Sequence, residues 1–512
     1  MTNSAVLLLE NTKHPDKTAL IYEDESITFA QWRETSRSIG TYLLYRYPAQ
    51  TPAKRPVIVY MPRQISALIS FFGVLYSGNI YAPIDYATPL ARFAVIIENL
   101  NPLCIITDEQ GKEVLTEAGI AAANDVLLYG DLYNTVPDAA HLQNVISGVI
   151  DVDPVYIMHT SGSTGVPKGV TIPHRGVIDY SEWVVETFSF DVNTVLGAQS
   201  AFYFDNSVLD IYGCLRSGAS MVIIPDKLFL FPGKLPGYVN QMGINTIFWV
   251  PTVMINTANS GALEQYHMPL LKKVLFCGEA MPNAQLNVWR RTHPGAIYAN
   301  LYGPTEITDV CTYYIVDREF GDSEPLPIGR PCRNMDVVIL NGEDRQVSPG
   351  EIGELCVLGT GLALGYWNAK EQTETAFTQN PLNRNYRELM YRTGDLAVYA
   401  EDGLIMCLGR KDSQIKLKGN RIELGDIETA AKSLHGEGVE NACAMLDRDA
   451  QEIVLIVQCG RDLKLRQLNL RLKQLIPAYM LPGRLVVMSE LPLTSNGKID
   501  RVRLREELGV RS

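Results

Sequence analysis

The sequence holds no CxxC pair and no other metal-binding spacing among its nine cysteines, which are scattered singly from Cys104 to Cys459. An odd, dispersed set of thiols reads as reduced cysteines in a cytosolic protein, not as a disulfide framework. The seven histidines do not cluster either, which argues against a zinc site. Long apolar runs are missing too. The most apolar segment, Ile65 to Tyr76, is about a dozen residues and too short to span a bilayer. The opening stretch, Met1 to Glu10, has no basic segment and too short an apolar run for a secretory signal. A net charge of −12 argues against non-specific nucleic-acid binding and against adsorption to an anionic membrane. Internal repeats and low-complexity tracts are absent. The expectation is a cytoplasmic protein with no nucleic-acid partner and no membrane insertion.

What is present is ordinary for a folded protein: 512 residues, 46% hydrophobic and 20% charged, enough for a large core and more than one domain. Short apolar runs such as Val57–Met61, Leu103–Thr107, Val126–Tyr129, Ser220–Pro225, Thr246–Val250 and Lys273–Cys277 read as buried strands. Helical patterns lie between them, over Phe29–Gly40, where a glycine marks the expected end, over Ser66–Tyr76, and around 208–216 and 283–291. Strands alternating with helices imply α/β architecture with mostly parallel, covered sheets. From about 327 to 410 short strands and glycine turns suggest a small antiparallel β subdomain. After Gly409-Arg-Lys-Asp412 the pattern changes again to a compact α+β unit, with a helix at 426–434, strands at 441–446 and 453–459, and a basic amphipathic helix at 463–475.

Several short motifs could carry chemistry. His159 to Gly169 follows a strand-like run and holds Thr160, Ser161, Gly162, Ser163, Thr164, Gly165 and Lys168. Glycines let the backbone approach a ligand, successive N–H groups form an anion nest, and a lysine adds charge. The spacing is not that of a Walker loop, and the same composition suits a flexible linker equally well. Asp205 follows aromatic, strand-like sequence; it could pair with a substrate ammonium at a pocket mouth, or it could simply cap the next helix together with Asn206 or Ser207. Asn300-Leu-Tyr-Gly-Pro-Thr-Glu306 sets a turn between an aromatic ring and a carboxylate. Tyr302 could stack on a base and Glu306 could hold Mg²⁺, or the run could be a plain surface turn. Tyr391-Arg-Thr-Gly-Asp395 offers a carboxylate on a turn, able to accept both hydroxyls of a ribose. Lys498, in Asn496-Gly-Lys, would ordinarily be a solvated lysine.

Taken in order, the 160–169 loop, Asp205, Tyr302-Gly-Pro-Thr-Glu306, Arg392-Thr-Gly-Asp395, Gly409-Arg-Lys-Asp412 and Asn496-Gly-Lys498 resemble the adenylate-forming superfamily of acyl-CoA synthetases, luciferases and peptide-synthetase adenylation domains. The resemblance covers nearly the whole chain. Phe204-Asp205, Arg421-Ile-Glu-Leu-Gly-Asp-Ile-Glu428 and Pro477-Ala-Tyr-Met480 resemble the amino-acid-activating branch, and Phe204–Tyr212 with Phe276-Cys-Gly-Glu279 resembles its free-standing D-alanine–carrier protein ligases.

That resemblance implies a large ATP- and substrate-binding domain over 1–411 and a small mobile domain over 412–512, pivoting near Asp412. It implies ATP and Mg²⁺ as cofactors. The triphosphate would sit in the 160–169 loop with Mg²⁺ on Glu306. Gly278, Glu279 and Ala280, with Asn300, Leu301, Tyr302, Gly303, Pro304 and Thr305, would line the adenine and phosphate side. Asp395 would hold the ribose beside Arg410, and Lys498 would meet the α-phosphate as the catalytic group. The amino-acid pocket would comprise Asp205, Asn206, Leu209, Phe248, Leu275, Cys277, Leu301, Asp309 and Val310. Asp309 departs from the D-alanine ligases, which carry an apolar residue there, and it could face either the pocket or outward. His159 and Leu364 also replace a more usual tyrosine and arginine. The sequence has no Gly-Gly-x-Ser phosphopantetheine site, so a phosphopantetheinylated carrier protein is expected as a separate chain. The activity implied is activation of D-alanine or another small amino acid and its transfer to that carrier. An acyl- or aryl-CoA ligase is the alternative, and Asp205 counts against it because such acids lack an ammonium group.

Overall fold

The apolar runs pair into two large, mostly parallel sheets in the computed structural model. It describes residues 3–48, 54–160, 167–322, 324–411, 414–434, 437–461, 463–492 and 499–510. The described residues of 1–86, 101–158 and 169–409 form one compact unit, and those of 87–100, 159–168 and 410–512 a second.

In the first unit a nine-stranded sheet has six parallel strands at its centre, in the order Ile297–Tyr302, Lys273–Phe276, Thr246–Trp249, Val195–Ala198, Ser220–Ile223 and Thr18–Tyr22. Antiparallel strands flank them: Thr312–Ile315 and Arg330–Pro331 at one edge, Glu25–Thr28 at the other. A seven-stranded sheet runs Gly365–Tyr366, Lys168–Pro173, Pro154–Thr160, Ile80–Ile84, Pro56–Tyr60, Ile105–Thr107, Val126–Leu128. Helices Phe29–Arg46, Ile65–Tyr76, His174–Phe188 and Ser207–Ser217 bury apolar faces in the main core. The expected β subdomain is a five-stranded sheet built from Met335–Leu340, Gly353–Gly359, Leu389–Tyr399, Phe377–Gln379 and Ile405–Arg410. Two short strands of that region, Arg330–Pro331 and Gly365–Tyr366, instead extend the two large sheets.

The second unit has its own core of Ile422, Ile427, Ala444, Leu455 and Leu468. Around it lie the hairpin Gln414–Leu417/Asn420–Glu423, the three-stranded sheet Val439–Asp447, Glu452–Cys459, Arg484–Met488, and helices Leu424–Lys432 and Leu465–Leu472. All nine cysteines are free thiols. Among the described residues no helix is long and apolar enough to cross a membrane.

The expected ends shift by up to three residues in the helices Leu424–Lys432 and Leu465–Leu472 and by more in one helix. The first long helix does not stop at Gly40 but continues to Arg46. It starts with a capping box, the Thr28 side chain accepting from the Gln31 amide at 3.2 Å and Gln31 Oε1 accepting from the Thr28 amide at 2.8 Å. Gly40 is a close-approach position: a Cβ there would lie 2.6 Å from Cβ of Tyr76 and 3.2 Å from the Gly73 carbonyl of the packed helix. Both obstructing atoms are too near the backbone to swing away. Gly40→Ala is therefore expected to destabilise the protein by about 1–3 kcal/mol through overpacking, despite alanine's better helix propensity. A chemical-denaturation midpoint at or above that of the parent would contradict this.

Candidate active site

Parallel strands present their carboxyl ends along one edge, where ligands of α/β sheets commonly bind. Here the register Phe248↔Leu275 and Leu275↔Ala299 aligns three such strands. Side chains alternate across a sheet, so Phe248, Leu275, Cys277, Ala299 and Leu301 join one core cluster, while Trp249, Val274, Phe276 and Tyr298 join the other. Leu209, on the helix Ser207–Ser217, and Val310 belong to the same cluster as the first set. The apolar residues expected to line the pocket are thus all buried in one large core cluster.

Asp205 lies just ahead of that helix. The capping role that its position suggests is not taken: the helix has Asn206 at its N-cap, in αR conformation, with no side-chain capping bond. Asp205 Oδ1 instead accepts from the Asn206 backbone amide at 3.0 Å. The Asn206 side-chain Nδ2 is buried with no hydrogen-bond partner and faces Gly278, whose added Cβ would sit 3.9 Å from it.

The segment after Glu306 answers which way Asp309 faces. Asp309 is 1% exposed, and its Oδ2 accepts from the Tyr180 hydroxyl at 2.6 Å. Thr308 and Asp309 both have positive φ, 60° and 73°. The sharp turn brings the Asp309 carbonyl so close to Gly303 that a Cβ at 303 would be 2.1 Å away. Only glycine fits there. Tyr180, on the helix His174–Phe188, is a partner that nothing in the linear sequence signals.

On the expected nucleotide side, the Tyr302 hydroxyl donates to Oδ2 of Asp395, and both residues are buried. Burial first, then the Asp395 charge, raises the phenol's pKa, so it stays a donor. The run Tyr391–Asp395 is not a reverse turn, as its composition suggests, but part of the long strand Leu389–Tyr399. The strand is bulged opposite Glu354–Cys356, with Gly394 at φ 76° and its amide donating to Glu354 Oε1 at 3.1 Å. A bulge re-aims a side chain without ending the strand, and here it presents Asp395 to Tyr302. Glu306, fully buried, accepts from the Tyr366 hydroxyl at 2.8 Å. Asn300 Nδ2 donates to the Pro327 carbonyl at 2.8 Å. Glu279 accepts from the amide and hydroxyl of Thr252, at 3.1 and 2.6 Å, capping the start of the helix Pro251–Asn259.

Thr160 ends the strand Pro154–Thr160 with its hydroxyl buried and unpartnered, and Lys168 begins the strand Lys168–Pro173. Ser161, Gly162, Ser163, Thr164, Gly165, Asp412 and Lys498 lie outside the described residues. Arg410 closes the strand Ile405–Arg410. Both ring nitrogens of His159 lack hydrogen-bond partners, and burial, helped by Arg92, lowers its pKa to about 3. It is a neutral ring at physiological pH and adds no cation for phosphate. Leu364 is exposed. Among the described residues no group of three or more histidine, cysteine or acidic side chains is placed to hold a metal. One carboxylate oxygen donor, Glu306, suits Mg²⁺, which takes its remaining ligands from phosphates and water.

Two large, mostly parallel sheets and a smaller five-stranded one lie in one compact unit with Asp205 and residues 300–306 and 391–395, and the comparisons with known proteins place the chain among adenylate-forming enzymes. The chain belongs to the AMP-binding enzyme family, which matches residues 9–367. It is 30% identical over 512 residues to the D-alanine–D-alanyl carrier protein ligase of Bacillus cytotoxicus, covering 97% of each chain. It is also 33% identical over 505 residues to bacitracin synthase 1 of Bacillus licheniformis, where 96% of this chain spans only 9% of the larger protein. Among solved structures, the Vibrio cholerae adenylation domain AlmE, in complex with glycyl-adenosine-5'-phosphate, superimposes with a TM-score of 0.83 at 22% identity over 99% of this chain and 97% of that one. The NpsA-ThdA adenylation–PCP fusion from Klebsiella oxytoca does so with a TM-score of 0.79 at 21% identity, over 94% and 93%.

Proposed function

We propose that this ligase activates a small amino acid, D-alanine or one of similar size, as its aminoacyl-adenylate, and passes it to the phosphopantetheine thiol of a separate carrier protein. The observation that carries the reading is the Asp205 carboxylate, half-buried just ahead of the helix Ser207–Ser217, whose Leu209 shares one buried apolar cluster with Phe248, Leu275, Cys277 and Leu301. A partly desolvated carboxylate is the partner an α-ammonium needs, and an acyl or aryl acid has no group to use it. The full-length likeness to the D-alanine ligase supports the same reading.

In the first half-reaction a substrate carboxylate oxygen attacks the α-phosphorus of ATP, the bond to the β-bridging oxygen breaks, and pyrophosphate leaves. Asp395, held by Tyr302, would accept the ribose hydroxyls. Lys498 would offset charge on the α-phosphate, and the 160–169 loop would hold the β- and γ-phosphates. Bound through Glu306, Mg²⁺ would supply Lewis-acid neutralisation of the phosphate oxygens. In the second half-reaction the carrier thiolate attacks the acyl carbon, and the bond to AMP breaks. Residues 412–512 would reorient about Asp412 between the two steps, as hinges at element ends allow.

ATP–pyrophosphate exchange over a panel of glycine, both alanine enantiomers, other small amino acids and simple carboxylic acids tests the reading. Exchange dependent on a small amino acid is expected. Exchange only with acids that lack an ammonium group would replace it with an acyl- or aryl-CoA ligase.

A further inference from the structure

The carboxyl-terminal part of the second unit holds a set of contacts that the chemistry above does not use. Arg501 opens the helix Arg501–Leu508. Its Nη1 donates to the Ala444 carbonyl at 2.9 Å, and its Nη2 donates to Glu428 Oε1 at 2.5 Å. The same Oε1 accepts from the Ala444 backbone amide at 2.8 Å. One guanidinium thus fastens together the helix Leu424–Lys432, the strand Val439–Asp447 and the first turn of the last helix. The Glu428 side chain is 12% exposed and that of Arg501 33%, so the pair is better shielded than an ordinary surface ion pair and gains from charge-assisted hydrogen bonds.

The residues between Lys498 and Arg501 are held as well. The Asp500 amide donates to the Pro492 carbonyl at 2.8 Å, which joins the two flanks of the segment 493–498. The Asp500 carboxylate caps the last helix by accepting from the Arg503 amide at 3.0 Å. Leu491 is buried, and Ile499 packs on the same apolar cluster, with Cys443, Met445 and Ile456. The last helix does not need Arg501 for its attachment, because Leu504 and Val510 are buried in that cluster and Leu508 packs against it. What Arg501 adds is a fixed point three residues after Lys498, at most about 11 Å of extended chain away.

We propose that Arg501, clamped by Glu428 and the Ala444 carbonyl, is a positioning residue that fixes the chain beside Lys498 for adenylate formation. The inference rests on the reading above, in which Lys498 meets the α-phosphate, and Arg501 acts through that lysine. Displacing a catalytic group by about 1 Å can cost about 100-fold in rate, which is what a clamp this close in the chain prevents. A guanidinium presents its donors in a fixed fork, whereas an ammonium is a single point, so lysine at 501 restores only part of the clamp.

The test measures the two half-reactions of the full-length enzyme separately. Arg501→Ala should lower kcat for adenylate formation by about 10- to 100-fold with the KM for ATP little changed, because the loss falls on the transition state. Single-turnover transfer from supplied adenylate should stay at the parent rate, which a merely structural role would not spare. In a Lys498→Ala background the same substitution should cause no further loss, because the two residues act as one unit. Glu428→Gln and Arg501→Lys should fall between the parent and Arg501→Ala, and they give the reading even if Arg501→Ala fails to fold. An equal fall in both half-reactions, a further fall in the Lys498→Ala background, or undiminished adenylation by the folded variants overturns the inference and leaves the proposed activity standing. Exchange by the parent only with acids that lack an ammonium group overturns the amino-acid reading and leaves this one standing, since adenylate formation is then read with that acid. Absence of exchange with every acid overturns both.

Discussion

Lys498→Ala is expected to slow adenylate formation on the order of 100- to 1000-fold, while thioester formation from preformed aminoacyl-adenylate continues at close to the parent rate. The first half-reaction brings a carboxylate anion onto a phosphate that is itself anionic. The charge on the α-phosphate and the approaching oxygen needs a positioned cation in the transition state. Losing one such electrostatic group typically costs about 3–4 kcal/mol, which is that range of rates. In the second half-reaction the leaving AMP is already the good leaving group of a mixed anhydride, and attack falls on carbon, so the same cation contributes little. Pyrophosphate exchange reads the first step, and single-turnover transfer from supplied adenylate reads the second. An equal fall in both would remove Lys498 from the role assigned to it here.

Much of the fold was legible because its strands are buried on both faces and so read as unbroken apolar runs. Pro56–Tyr60, Thr246–Trp249 and Lys273–Phe276 lie within a residue of where the pattern puts them. Helix ends were harder, since a glycine signals either a stop or a close approach; Gly40 proved the latter because Tyr76 packs on it. The Tyr391–Asp395 run was misread for a related reason. Thr-Gly-Asp has turn chemistry, but a glycine at φ 76° serves a bulge inside a strand equally well. The candidate site residues were named from the order of motifs, whereas their partners Tyr180, Tyr366 and Thr252 were not. Each acts by donating to a carboxylate far away in sequence, and a tyrosine or threonine on a helix or strand has no local signature for that. Asp309 lay between these cases: the sequence shows that a carboxylate is there, but only the left-handed turn and the Tyr180 bond show which way it faces.

Asp205→Ala should abolish the preference for amino acids and leave the adenylating machinery intact. In the reading proposed here the α-ammonium leaves water for a pocket whose walls are Phe248, Leu275 and Leu209, with Asp205 as its counter-charge. Removing one partner of such a pair leaves the other charge buried and uncompensated, which costs about 3–5 kcal/mol. That corresponds to a fall in kcat/KM on the order of 100- to 1000-fold or more for the amino-acid substrate. The ammonium is bound alike in ground and transition states, so the loss should fall mainly on KM. The des-amino acid of the same length makes no use of Asp205 in either protein. Its slow exchange should persist in the variant, bringing the two substrates to within about tenfold of each other as the 3–5 kcal/mol difference disappears. If the variant still prefers the amino acid by the parental margin, the ammonium binds elsewhere. If it loses exchange with both acids while remaining folded by thermal melting, Asp205 supports the adenylation step itself and not the choice of substrate.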